Sequence, residues 1–408
     1  MELWKRNLWV LWCTQIIALA SFGFGVPFIP LYIKDLQPLS PEQVKIYATI
    51  LAGAPAVLMG IMAPVWGFIS DKYGRKLMLL RAMIGGVILI TLMGTVSSVN
   101  QLLVLRFAQG MFTGSVTASL AFVSSGTPEK HLSYALGVIS SSNFIGFSLG
   151  PAIGGIFAEI YGYRMSFYIG GALMLIGVIL VLFFVKEDKQ LLQARDKKVS
   201  MRASYKAILK PVIISILILL LFLRITRAMF SPYLPLFIES KLLREEGVSF
   251  ITGIVNALIG FTVAISSMLI GKFVANRNKI KTVIGLFIIS FVMSILVINY
   301  SKIATFFGVG NSLIVFIVLY VIMYFHLGGI EPVITALAAA NITPENRGAL
   351  SGLQGMISSI GWALAPVISG TIVYGRSVEF ALFAIPVIIV VNIGLSLWLE
   401  KVSNKHVA

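Results

Sequence analysis

Residues 137–155 read GVISSSNFIGFSLGPAIGG, and residues 352–370 read GLQGMISSIGWALAPVISG. In the first stretch Gly137, Gly146, Gly150-Pro151 and Gly154-Gly155 punctuate an apolar helix. In the second, Gly352, Gly361, Ala365-Pro366 and Ser369-Gly370 keep the same spacings 215 residues later. A pattern repeated at constant offset marks a duplication. Working outward, Pro27-Phe28-Ile29-Pro30-Leu31 returns 205 residues later as Pro232-Tyr233-Leu234-Pro235-Leu236, and Thr127-Pro128-Glu129 returns as Thr343-Pro344-Glu345. The longer segment 301–311, compared with 98–101, absorbs the growth in offset. The chain is therefore two similar halves.

The 408 residues are 58% hydrophobic and 12% charged, with mean hydropathy +0.95. So little charge cannot coat a water-soluble surface, whereas lipid as solvent demands none. A membrane helix needs roughly 20 apolar residues. Twelve such stretches occur, near 8–33, 46–69, 77–97, 101–124, 132–159, 165–185, 211–238, 250–273, 281–300, 314–340, 347–374 and 379–399. The expected fold is an all-α membrane protein with twelve transmembrane helices in two pseudo-symmetric six-helix bundles. Residues 1–185 form the N-terminal bundle, 186–210 a basic cytoplasmic linker and 211–408 the C-terminal bundle. A parallel six-plus-six repeat with a site between the halves is a transporter plan.

The net charge of +16 fits basic membrane loops, and no basic stripe with interleaved aromatics points to nucleic acid. With the N-terminus inside, cytoplasmic loops and adjoining span ends hold 22 Lys and Arg, outer loops 7, and three arginines fall within spans. This bias places both termini in the cytoplasm. Cys13 stands alone, so no internal disulfide forms, and the three histidines lack metal-ligand spacing. The first apolar stretch reads as a retained span, not a cleaved signal. No cofactor is expected: no phosphate-binding glycine loop and no nucleophile–base constellation is visible. The chain is expected to work as a monomer in the bilayer, and not as an enzyme.

The loop after span two reads Gly67-Phe68-Ile69-Ser70-Asp71-Lys72-Tyr73-Gly74-Arg75-Lys76. Gly74 suits a tight loop. Asp71 can accept from a nearby helix start, and Arg75 and Lys76 can meet acids or lipid phosphates. Span four carries Arg106-Phe107-Ala108-Gln109-Gly110 followed by Gly114. In order along the whole chain these motifs resemble those of the major facilitator superfamily. The Gly-Pro pattern is similar to that of its proton-driven exporters, and Val26-Pro27-Phe28-Ile29-Pro30-Leu31-Tyr32 resembles the end of span one in drug:proton antiporters. The resemblance implies a cytoplasmic latch at Gly67, Asp71, Gly74, Arg75 and Lys76, and a gate at Gly146, Gly150, Pro151, Gly154 and Gly155. It ties Arg106 to proton coupling. The plainer readings are topology-setting charges, tight packing and a hydrogen-bonded strut. The second copy of the loop, Gly271-Lys272-Phe273-Val274-Ala275, has Ala275 in place of the acid.

An ionisable group at mid-membrane costs roughly 2.5–3.5 kcal/mol on insertion scales, so each needs a reason. Glu331 is the acid nearest mid-span, followed by Pro332, which loosens the helix. Arg224 and Arg227, three apart, share one face of span seven. Either Glu331 pairs structurally with one of these arginines, or it titrates during transport as its surroundings alternate. Asp35 and Glu159 fall at outer span ends, facing interfacial water. Three buried arginines against one acid argue against a strongly cationic substrate. Phe24, Phe28, Tyr233 and Tyr324 are candidate cavity aromatics beside Arg224 and Arg227 as docking charges. The expectation is a proton-coupled carrier exporting small amphipathic molecules or drugs. The alternatives are a carrier for an anionic metabolite, such as a carboxylate siderophore or organic acid, and a transport-inactive sensor or scaffold.

Overall fold

The computed structural model describes residues 2–112, 114–187, 210–242, 246–274, 277–342 and 347–407. Gly67 and the side chain of Asp71, most of the expected linker, Ala275 and the Thr343-Pro344-Glu345 repeat lie outside the described residues.

Prolines and glycines set where the helices begin, bend and stop. Span one is α1 (Leu3–Gly25), a 3-10 turn (Val26–Phe28) and α2 (Ile29–Leu36). Pro27 and Pro30 each withdraw a backbone donor there. Ser40 opens α3 (Pro41–Tyr73) with a capping box: its hydroxyl accepts from Gln43 N, and the Gln43 side chain accepts from Ser40 N at 2.8 Å. Gly74, at φ +100, separates α3 from α4 (Arg75–Met93). Span four is α5 (Val99–Phe112) and α6 (Ser115–Gly126), interrupted at Gly114, φ +131. Spans five and six are α7 (Leu132–Phe184), with non-helical backbone only at Gly162, φ +80. The chain turns back there: Gly146 on one side of Gly162 and Gly177 on the other both reach the Ile16–Leu19 stretch of α1.

In the second half, α8 (Pro211–Ala228), a 3-10 turn (Ser231–Tyr233) and α9 (Leu234–Leu242) repeat the pattern of span one. They are followed by α10 (Val248–Val274), α11 (Lys279–Ile298), the short α12 (Tyr300–Phe306), α13 (Ser312–Ala340), α14 (Arg347–Val373) and α15 (Phe380–Val407). Among the described residues, ten helical segments are long and apolar enough to cross a membrane. The two halves of span four are individually too short, and α7 counts once for two crossings. With these restored, the fold has its twelve spans. Apolar side chains such as Phe183 and Met268 are outward and exposed, as lipid-facing residues are.

Two compact units emerge, Met1–Lys198 with Ile238–Phe261, and Val199–Phe237 with Thr262–Ala408. Helices α9 and α10 contribute to both.

Candidate functional site

Three residues apart on α8, Arg224 and Arg227 point to one carboxylate on α13. Arg224 Nη2 donates to Glu331 Oε1, and Arg227 Nη1 donates to Oε2 at 2.8 Å. The sequence leaves Glu331 to pair with one arginine; the structure gives it both. The three side chains retain only 20%, 17% and 27% exposure, so the charges are substantially desolvated. One carboxylate against two guanidiniums leaves one positive charge over, and among the described residues the buried Arg224 Nε has no hydrogen-bond partner.

Arg224 reaches this position because Gly361 on α14 clears space for it: a Cβ there would stand 2.6 Å from Arg224 Cβ. Arg227 is held from behind. Its carbonyl is one of those a helix leaves unpaired at its C-terminal end, and Tyr324 Oη donates to it at 2.6 Å. Tyr320 in turn donates to Tyr324 at 3.2 Å. Around Glu331 the helix is loosened and re-secured. Pro332 lacks the N–H that would bond the Gly328 carbonyl. Ser267 of α10 divides its hydroxyl between its own Val263 carbonyl at 2.8 Å and that Gly328 carbonyl at 3.3 Å. Ser266 donates to the Phe325 carbonyl. Gly328 and Gly329 allow this approach, since side chains there would overlap Val263 and Ile270.

Arg106, 5% exposed, is satisfied differently. Its Nε donates to the Leu51 carbonyl at 2.8 Å and its Nη1 to the Gln109 side chain. Among the described residues it makes no ion pair.

The glycine pattern of α7 serves two neighbours. Gly146, Gly150 and Gly154, four apart, form one small-residue face against α1; a Cβ on Gly150 would lie 2.6 Å from the Ala20 carbonyl oxygen and 2.7 Å from its Cα. Gly155 and Pro151 meet the N-terminal part of α10, where Gly253 Cα lies 3.2 Å from a Cβ built on Gly155. Backbones thus approach on both faces, as small-residue spacing permits.

Two acids beyond those marked as site candidates hold helix starts. Glu187 accepts from Arg75 N at 2.7 Å and Lys76 N at 3.0 Å, capping α4; Lys76 Nζ donates to the Leu182 carbonyl at 2.9 Å. Arg75 Nη1 also reaches Ser124 at 3.5 Å. Glu159 accepts from Gly247 N and Ser249 N, capping α10, with Tyr163 and Ser249 hydroxyls 3.1 Å apart. Carboxylates at helix N-termini satisfy orphan donors and the positive end of the dipole. Sequence carried the residue types but not the partners, which lie 112 and 88 residues away.

Of the aromatic candidates, Phe24, Phe28 and Tyr233 are buried. Phe24 packs near Phe157, with ring centroids 5.8 Å apart. Tyr324, also buried, touches the Arg224–Glu331–Arg227 cluster through the Arg227 carbonyl.

Twelve apolar spans, a doubled architecture and a desolvated carboxylate forked by two arginines define an integral multi-pass membrane protein of the secondary-transporter class. A sequence model of the Major Facilitator Superfamily matches residues 11–313, and the chain belongs to that superfamily. It is 28% identical over 396 residues to the Multi-drug resistance efflux pump PmrA homolog of Lactococcus lactis, spanning 96% of this chain and 94% of that one. It is also 28% identical over 371 residues to the Multidrug resistance protein MdtG of Proteus mirabilis, spanning 89% and 88%. A solved bacterial homologue of the human lysosomal transporter Spinster superposes with TM-score 0.79, at 15% identity and 98% coverage of each chain. The human organic anion transporter MFSD10 (TETRAN) superposes with TM-score 0.71, at 15% identity and 97% and 100% coverage. These structural likenesses carry the fold alone.

Proposed function

We propose that this secondary active transporter is proton-coupled and exports small amphipathic molecules, drugs among them, across the cytoplasmic (inner) membrane by alternating access. Both termini lie in the cytoplasm, as the distribution of Lys and Arg favours. The observation that carries the reading is the forked pairing of Glu331 with Arg224 and Arg227. Ionised, Glu331 holds both guanidiniums. Protonated, it releases them, so the proton switches the site between two charge arrangements. The sequence likeness to proteins named as multidrug efflux pumps supports the direction of transport. A proton moving down about 150 mV is worth roughly 3.5 kcal/mol, enough for a substrate gradient of a few hundred-fold. In this reading the two six-helix bundles alternate access, Arg106 and Asp71 join Glu331 in proton coupling, the loop at Gly67–Lys76 is the cytoplasmic latch, and the α7 glycines form the gate.

A second reading, transport of an anionic metabolite, is favoured by one specific observation: two arginines share one acid and Arg224 Nε lacks a partner. Purified protein in liposomes decides both. An imposed pH gradient should drive accumulation of an amphipathic dye by the native protein and not by Glu331→Gln. Equal accumulation by the two proteins refutes coupling through Glu331. Competition by anions, abolished in Arg224→Gln, selects the second reading.

A further inference from the structure

An open groove of about 420 Å³ lies along the end of α10 and the N-terminal half of α11. Its lining changes along α11. Arg277 and Lys281 stand at its mouth, and among the described residues neither makes an ion pair. No acidic residue occurs in the sequence between Glu246 and Glu331, while Lys272, Arg277, Lys279 and Lys281 cluster at this hairpin. The Arg277 guanidinium lies 3.9 Å from the ring centroid of Phe273, which holds it over the opening. The backbone donors of α11 are already met, because the Asn278 side chain accepts from Ile280 N and Lys281 N. The cationic side chains, and not the helix start, are what the cavity offers an anion.

One helical turn deeper the wall becomes small. Gly285 carries no side chain, and a Cβ there would meet nothing within 4 Å. A turn deeper again it is apolar, with Leu286 buried and Ile289 exposed on the lipid-facing surface. From Lys281 to Ile289 the groove runs roughly 12 Å at 1.5 Å per residue. Cationic mouth, open middle and apolar floor follow the order of phosphate, glycerol and acyl chain along a phospholipid.

We propose that this groove binds one anionic phospholipid of the leaflet that faces the α10–α11 loop, the cytoplasmic leaflet in the orientation given above. A zwitterionic headgroup brings its own cation to a mouth that already has two and is disfavoured. A free phosphate would use the mouth and leave the apolar floor empty. The charge attraction is local, as expected for basic pockets between membrane helices.

The test is native mass spectrometry of the purified full-length protein equilibrated with phosphatidylglycerol, with phosphatidylcholine, and with glycerol phosphate as the headgroup alone. The native protein should retain phosphatidylglycerol over phosphatidylcholine by about tenfold or more, given two basic contacts. Arg277→Gln with Lys281→Gln should bring that ratio near one. Gly285→Leu, which keeps every charge and fills open space, should lower phosphatidylglycerol retention as well. The proposal is overturned if the native protein shows no preference, if both variants retain it, or if glycerol phosphate displaces the lipid fully, which would make this a site for free phosphate. Transport activity is not the readout, so the result stands apart from the proposed function.

Discussion

Leu19 and Arg224 hold the same place in the two repeats of the chain. Position 224 follows 19 by the 205 residues that relate Pro232 to Pro27. Each side chain sits over the first interior glycine of its repeat: a Cβ on Gly146 would lie 2.7 Å from Leu19 Cβ, and one on Gly361 would lie 2.6 Å from Arg224 Cβ. The two halves share the packing, and only the second carries charge there. Arg227 likewise stands where the first half has Phe22. The charged site of the second unit thus occupies the place of an apolar helix contact in the first, over an equivalent glycine.

The first prediction concerns the acceptor that two arginines share. Glu331→Gln leaves both guanidiniums without a carboxylate. Because the side chains keep some exposure, the cost should fall below the roughly 3–5 kcal/mol of a broken fully buried pair, at about 1–3 kcal/mol. Thermal unfolding of the purified protein measures it. In liposomes, substrate exchange without a gradient should persist while pH-driven accumulation disappears.

The second uses the glycine beneath the arginine. Gly361→Ala must move Arg224, and overpacking of this kind costs about 1–3 kcal/mol. Gly146→Ala presses on Leu19 and the Ile16 carbonyl to a similar extent. The stability losses should match, but Gly361→Ala should cut pH-driven accumulation while sparing exchange without a gradient, as Glu331→Gln does, whereas Gly146→Ala, in the gate, should slow both. Equal transport defects in both variants would deny Arg224 a special role.

A third test isolates the loosened turn at Glu331. Ser267→Ala removes a hydroxyl shared with the Gly328 carbonyl that Pro332 leaves free. Its cost, about 0.5–1.5 kcal/mol, should shrink in a Pro332→Ala background, where residue 332 regains the N–H that bonds that carbonyl. A double-mutant cycle of melting temperatures reads the coupling, and strict additivity rejects it.

The fourth addresses the loop at Gly74. Glu187→Ala removes the acceptor for two amides of α4, a cap worth roughly 1–2 kcal/mol. Hydrogen exchange at Arg75 and Lys76 should quicken about tenfold, since 1.4 kcal/mol is one decade. Gly74→Ala should be worse: φ +100 disfavours any side chain, and its Cβ would stand 2.8 Å from Glu187 Oε2. Unchanged exchange in Glu187→Ala would show that the cap is replaced by water.

Span positions were legible because apolar length and loop charge are local properties. The sequence places span eight at 250–273, and α10 runs Val248–Val274. The return at Gly162 falls in the gap the sequence leaves between spans five and six, at 160–164, but the interruption at Gly114 inside span four is not readable there, because glycine permits such an angle without demanding it. For Glu331, composition singled out the residue and its partners on α8, while only the fold shows that it holds both. The sequence places Glu159 at a span end in interfacial water and leaves Glu187 unassigned, whereas in the structure each accepts from backbone amides at a helix start. Each ends an apolar segment, where an acid reads as merely solvated, and each acts on amides distant in sequence.

The Glu187 cap also fixes an order of events during synthesis. Arg75 and its acceptor are 112 residues apart. A ribosome adding roughly 5–20 residues per second leaves the start of α4 uncapped for about 6–20 s after Arg75 emerges. For that interval Arg75 and Lys76 lack the carboxylate that later sits against their amides, and their charges act on the membrane alone. The cap uses the backbone amides of Arg75 and Lys76 and not their side-chain charges, so a variant that removes their charge should be scored for misinserted chains before its transport is compared.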